Sequence, residues 1–194
     1  TAPGVRSGKR ITYRQKIDAR EAWLAWGPPF VPSDAAELVR ESARKCPQAA
    51  AFELCRTNGD RPVPALRVGR DDPSDRKLGR VWIQARQHAW EVGGSWAVRG
   101  LATWLVSEDA QAGSLRDNAV VYLVPIMEVD NVALGAGGKR QWPNDHNRDW
   151  SDRPVFAEVA DHQVGLRLRG LEAIPSLAQA KHLVVGNIPA SKQF

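Results

Sequence analysis

An α/β fold is predicted for this 194-residue chain by three features of its sequence. The run Arg80-Val-Trp-Ile-Gln-Ala-Arg86 alternates apolar and polar side chains, as a half-buried strand does. A second apolar strand follows at Ala119-Val-Val-Tyr-Leu-Val-Pro-Ile-Met127. Between them, Trp96, Gly100, Leu101, Trp104 and Leu105 are spaced like one face of a helix. Strand, helix and strand in succession are the alternation from which α/β domains are built.

The remaining elements are read in chain order. Residues 1–10 read as a flexible basic lead, and Gly27-Pro-Pro-Phe-Val-Pro is a natural junction. Ser33 is expected to cap a helix that runs toward Lys45, with Ala36, Val39 and Ala43 on one face and Pro47 as a stop signal. Phe52-Glu-Leu-Cys-Arg and Val63-Pro-Ala-Leu-Arg-Val flank Thr57-Asn-Gly-Asp60, a hairpin signal. Asp71-Asp-Pro-Ser-Asp-Arg reads as a polar loop, and Gly93-Gly94-Ser95 as the approach to the second helix. Of the eight tryptophans, Trp82, Trp96 and Trp104 occupy expected core positions, whereas Trp90 and Trp150 lie beside polar motifs.

The first of those motifs is His88-Ala-Trp-Glu91, at the end of the first strand. An imidazole and a carboxylate three residues apart, at a strand-to-helix switch, converge readily on one cation. Zinc takes nitrogen and oxygen ligands of this kind, and a catalytic zinc usually has three protein ligands and one open position. Two are visible here, so a third comes from elsewhere. A solvated His–Glu pair is the competing reading. After the second strand come Glu128-Val-Asp130-Asn131 and then Asp145-His-Asn147-Arg148-Asp149-Trp150. Taken alone, Arg148 reads as the partner of Asp145, Asp149 or Asp152 in a surface ion pair.

The order strand, H-x-x-E, helix, strand, P-x-x-x-x-D-N, N-R-D-W resembles the zinc carboxypeptidases, the family of carboxypeptidase A and the cytosolic carboxypeptidases. The resemblance covers roughly Trp26 to Ala160. It implies a mixed sheet flanked by helices over residues 27–160. Residues 1–26 become a lead and a remnant of the β-sandwich that precedes the catalytic domain in the cytosolic members. It further implies a zinc-dependent hydrolase acting on a peptide bond next to a free carboxylate, with Zn2+ held by His88 and Glu91. Asn147 and Arg148 match the pair that holds the terminal carboxylate of a peptide or protein, and a guanidinium fork suits that ion. Lys139 or Arg140, in Gly135-Ala-Gly-Gly-Lys139-Arg140, would supply the charge that stabilises an oxyanion. His182 stands near the interval expected of the third ligand, with His162 as an alternative. Trp90 and Trp150 would wall the substrate pocket. From Asp161 onward the sequence departs from the family pattern and reads as a diverged or truncated tail. No residue matches the family's glutamate general base, so a non-catalytic protein that binds peptide carboxylates is the alternative reading.

Composition narrows the remaining classes. Apolar content of 43% suffices for a core, and the net charge of +5 is spread among acids with no basic stripe, which argues against a nucleic-acid partner. No stretch approaches the roughly twenty apolar residues of a membrane span, and the start carries no hydrophobic signal region. Cytoplasm is the default location. Cys46 and Cys55, the two cysteines, fit no zinc-knuckle spacing and read as reduced thiols.

Overall fold

The computed structural model describes residues 4–22, 25, 27–70, 72, 74–75, 77–139 and 143–161. A two-stranded hairpin, β1 (Val5–Ser7) and β2 (Arg10–Thr12), forms within the basic lead and is exposed throughout. The body of the fold is helix α1 (Pro32–Lys45), strands β3 (Ala49–Arg56), β4 (Pro62–Gly69) and β5 (Gly79–Gln84), helices α2 (Val92–Leu105) and α3 (Ala110–Asn118), strand β6 (Ala119–Val124) and the short helix α4 (Val129–Ala133).

Helix α1 begins two residues earlier than its hydroxyl signal suggests. Val31 is the N-cap and Pro32 opens the helix, where its missing N–H costs nothing. The Asp34 carboxylate accepts from the Val31 amide at 2.6 Å, so Ser33 is not the cap. Its buried face is Ala35, Leu38, Val39 and Ser42, while Ala36 is exposed.

Four strands make a mixed sheet in the order β3-β4-β6-β5. β4 pairs antiparallel with β3 and β6, and β5 pairs parallel with β6. Register puts Leu66, Leu123 and Ile83 side by side on one face. Tyr122 and Trp82 are also partners; their rings stack at 5.5 Å, and Phe52 meets Tyr122 edge-on at 6.3 Å. All six residues of β6 are buried, which explains why its sequence is apolar without alternation.

Two elements depart from expectation. Helix α2 already includes Gly93 and Gly94, and its buried face is Ser95, Val98, Ala102 and Leu105. Trp96 therefore lies on the outside, 38% exposed, with its indole N–H donating to the Pro28 carbonyl and its ring edge-on to Phe30. Small side chains let α2 approach the core, and a tryptophan on that face would not fit. Helix α3 went unread because only Ala112 is buried along it; its start is the Asp109 cap, whose side chain accepts from the amides of Gln111 and Ala112.

The parallel pair fixes where chemistry can be placed. β5 and β6 end at the same side of the sheet, and the antiparallel β3–β4 turn projects there as well. Backbone pairing continues past both strands, with the amides of Ala85, Met127 and Glu128 donating to the carbonyls of Val124, Ala85 and Arg86. Segments 85–91 and 125–131 thus leave the sheet stapled together.

Candidate metal and carboxylate site

The turn after β5 begins with an uncommon backbone. Arg86 has φ 63°, in the left-handed region a side chain seldom adopts. The conformation is held by the buried guanidinium, which donates to the carbonyls of Phe30 at 2.5 Å and Ala89 at 2.7 Å. Burial brings its pKa down to about 10, against the opposing pull of Glu128. Such outliers persist only where their surroundings over-determine them, and they cluster at functional sites.

His88 follows, 4% exposed, with a carboxylate at each ring nitrogen. Nδ1 lies 3.0 Å from Glu91 Oε1, and Nε2 lies 2.9 Å from Asp145 Oδ1. Burial opposes protonation of this ring, but the hydrogen bonds and charges of Glu91 and Asp145 outweigh it and raise the His88 pKa. Glu91 is the N-cap residue of α2, where the helix dipole favours its charge. Its second oxygen, Oε2, is buried without a hydrogen-bond partner among the described residues. An orphaned carboxylate oxygen is costly unless something else occupies it, and a cation is one such occupant.

Glu128, 1% exposed, supports the turn between His88 and Glu91. Its Oε2 accepts from the Ala89 amide at 2.5 Å and its Oε1 from the Asn131 side chain at 2.6 Å. Burial, the leading influence, raises its pKa despite these donors. The loop 135–139 closes over this contact, with the Trp90 amide donating to the Gly137 carbonyl at 3.2 Å. Lys139 is exposed at the end of that loop. Asp130 binds the tip of the β3–β4 hairpin, accepting from Thr57 Oγ1 at 2.7 Å, the Gly59 amide at 2.8 Å and Arg61 Nη1 at 2.8 Å.

Asn147 and Arg148 sit in a single 3-10 turn, His146–Arg148, capped by Asp145. Both are exposed, although the turn beneath them is anchored. Asp149, 2% exposed, accepts from the Asn144 side chain and from the amides of Val155 and Phe156. Arg148 Nε lies 4.0 Å from Asp145 Oδ2, at the limit of an ion pair, with its side chain 76% exposed. Its fork is therefore directed at solvent more than at a protein carboxylate.

The structure thus gathers His88, Glu91 and the turn that carries Asn147 and Arg148. Arg140, His162 and His182 lie outside the described residues. Among the described residues no group of three metal-ligating side chains converges. Trp90 is 54% exposed, and Trp150 is half-buried against the core. Sequence reasoning missed Asp145 as the partner of His88, having read it only as a mate for Arg148. Two further residues went unread: His146, 0% exposed, and Glu158, 2% exposed. The one available signal was an acidic residue two positions before Asn147. Cys46 and Cys55 are free thiols, and burial, with help from Glu158, Asp161 and Glu53, pushes Cys55 up to about 12, which keeps it unreactive. Among the described residues no helix is long and apolar enough to cross a membrane.

A profile of the zinc carboxypeptidase family matches residues 36–163. Curated relatives include cytosolic carboxypeptidase 1 of Gallus gallus, 26% identical over 86% of this chain, and cytosolic carboxypeptidase 1 of Homo sapiens, 33% identical over 71%. The chain spans 14% and 12% of the lengths of these two proteins. Among solved structures, a metallo-carboxypeptidase from Burkholderia cenocepacia superposes with a TM-score of 0.63 at 27% identity, covering 72% of this chain and 38% of the other. A metallo-carboxypeptidase from Pseudomonas aeruginosa, in complex with (2-guanidinoethylmercapto)succinic acid, gives 0.59 at 26% identity, covering 73% and 38%.

Proposed function

Because the chain belongs to the zinc carboxypeptidase family, we propose that it carries the metal-binding and carboxylate-anchoring part of a peptidase site acting on a peptide bond next to a free carboxylate. The observation that carries this reading is the environment of His88: Nδ1 toward Glu91, Nε2 on Asp145, and Glu91 Oε2 buried without a hydrogen-bond partner among the described residues.

His88 through Nδ1 and Glu91 through its carboxylate are the residues that would hold Zn2+. Asp145 accepts from Nε2–H, which fixes the ring and makes the opposite nitrogen the better donor to a metal. When bound, zinc polarises a water and a substrate carbonyl. Arg148 and Asn147, exposed on an anchored turn, bind the terminal carboxylate and set the position of the scissile bond. The succinic acid derivative held by the Pseudomonas relative is itself a carboxylic acid, which supports a carboxylate anchor. Lys139 or Arg140 counters charge developing on the carbonyl oxygen. His182, or His162, completes the ligand set. The cytosolic names of the relatives support a cytoplasmic setting.

A second reading, a carboxylate-binding protein without turnover, is favoured by one observation: among the described residues no group of three metal-ligating side chains converges. Zinc content by plasma mass spectrometry tests the first reading, with His88→Ala, Glu91→Gln and His182→Ala alongside. About one zinc per chain is expected, lost in the first two variants. Wild-type protein without zinc would overturn the proposal. Zinc with peptide binding but no cleavage would establish the second reading.

A further inference from the structure

His146 and Glu158 take no part in the chemistry proposed above, yet both are buried. Consecutive residues of one turn reach consecutive residues of another: Asp145 Oδ1 lies 2.9 Å from His88 Nε2, and His146 Nδ1 lies 2.7 Å from Gln87 Oε1. These are two rungs between the segment after β5 and the 3-10 turn that presents Asn147 and Arg148. The second rung has its own support. His146 Nε2 lies 3.2 Å from Glu158 Oε1, and the Phe156 ring packs against the imidazole at 4.8 Å between centroids. Gln87 Oε1 can only accept, so His146 Nδ1 donates to it, and Nε2 is left facing the carboxyl group of Glu158.

The geometry points to Glu158 and His146 as positioning residues: they lock Gln87, and through it the adjoining His88, in the one orientation that serves both Glu91 and Asp145. A single rung between the two segments, from Asp145 to His88, would let the segment that carries His88 and Glu91 pivot about that contact. A second rung one residue away, on a fully buried ring, removes the pivot. Outer partners of a ligating histidine set its orientation and thereby the affinity of the metal. Here the chain of support runs one residue further, because Glu158 holds His146, His146 holds Gln87, and Gln87 precedes His88. Buried networks of this kind act together rather than as separate pairs, and Glu158 joins this one through Oε1, its Oε2 being buried without a hydrogen-bond partner among the described residues. The arrangement is tied to the strand–turn geometry of the two segments and holds in the protein without metal; only its effect on affinity rests on the zinc reading.

The test is 15N NMR of the His88 ring in the metal-free full chain, assigned by its loss in His88→Ala, together with zinc affinity by chelator competition. Wild type should give one sharp set of ring signals. Glu158→Leu should double or broaden them and weaken zinc about tenfold, the lower end of the effect of losing an outer partner. Glu158→Gln, whose amide can either donate to or accept from His146 Nε2, should restore both. Val159→Ala, a core lesion at a fully buried neighbour, should lower stability and leave the His88 signals unchanged. If Glu158→Leu does not fold, Gln87→Leu removes the same rung from the other side. Unchanged ring signals in the folded variant would overturn the assignment. Ring signals that respond in a protein that binds no zinc would uphold it while overturning the metalloenzyme reading.

Discussion

Gly138 packs directly onto Glu128. A Cβ at position 138 would overlap Glu128 Oε2 and the Ala89 amide, and the backbone there has φ 84°. The glycine is thus the point at which the loop 135–139 closes over the turn joining His88 to Glu91. It places Lys139 next to that turn without contributing any atom beyond its backbone.

Gly138→Ala should cost about 2 kcal/mol or more, combining the left-handed penalty with displacement of a buried carboxylate. Urea denaturation would measure it. The zinc affinity of the folded protein should fall as well, because the Ala89 amide can no longer keep its place.

Arg86→Met should cost about 3 kcal/mol, since two buried carbonyls, those of Phe30 and Ala89, lose charged donors. Arg86→Gly should recover little of this despite relieving the positive φ, because the hydrogen bonds are worth more than the backbone strain. Thermal melts of both variants would check the order.

Asp130 predicts a pH dependence. Burial works against its ionisation, but hydrogen bonds from Thr57, Arg61 and Gly59 outweigh that and hold its pKa below the ordinary 3.8. A depressed carboxylate contributes stability that is fully present above its unfolded value and lost as pH falls through the folded one. Stability should therefore drop below about pH 3.8 in wild type, and Asp130→Asn should flatten that limb while lowering the plateau. Denaturation midpoints across the acid range would show it.

Arg148→Ala should leave stability within about 0.5 kcal/mol, because the side chain is 76% exposed and the carboxylate of Asp145 lies 4.0 Å from it. Affinity for a succinic acid derivative should fall roughly ten- to a hundredfold, the loss of a charge-assisted pair. Calorimetric titration distinguishes this from a structural role, in which stability would fall and affinity would not.

Leu123→Ala should cost about 2–5 kcal/mol, since the side chain is wholly buried between Leu66 and Ile83. Such a change leaves the site residues untouched, so folded protein should bind zinc as wild type does.

Legibility in the sequence followed the kind of interaction each residue makes. β6 was readable because burial on both faces demands an unbroken apolar run, and the β3–β4 turn because Asn58-Gly59 suits a tight reversal. H-x-x-E was readable because its two residues lie close in sequence. Helix α3 was not, because one alanine is its only fully buried residue and it is defined by a cap. Trp96 misled because helical spacing identifies a face without saying which face turns inward. Asp145, His146 and Glu158 act on residues far along the chain, and pairings of that range leave no periodic trace. The left-handed Arg86 was hidden for a related reason: its conformation is imposed by carbonyls at Phe30 and Ala89, and nothing in the residue type announces it.

The parallel pairing of β5 with β6 also bears on the order of assembly. The β3–β4 hairpin closes over a short turn and can form early, whereas β5 must wait until α2 and α3 have been traversed before β6 reaches it. Closing such a crossover costs chain entropy before any contact repays it, so non-local parallel pairs form slowly. The segments that carry His88 and Glu128 are stapled by the continuation of that same pairing. The turn joining His88 to Glu91 is therefore among the last parts of the chain to become ordered, and a metal ion bound as proposed would meet an already folded sheet rather than nucleate it.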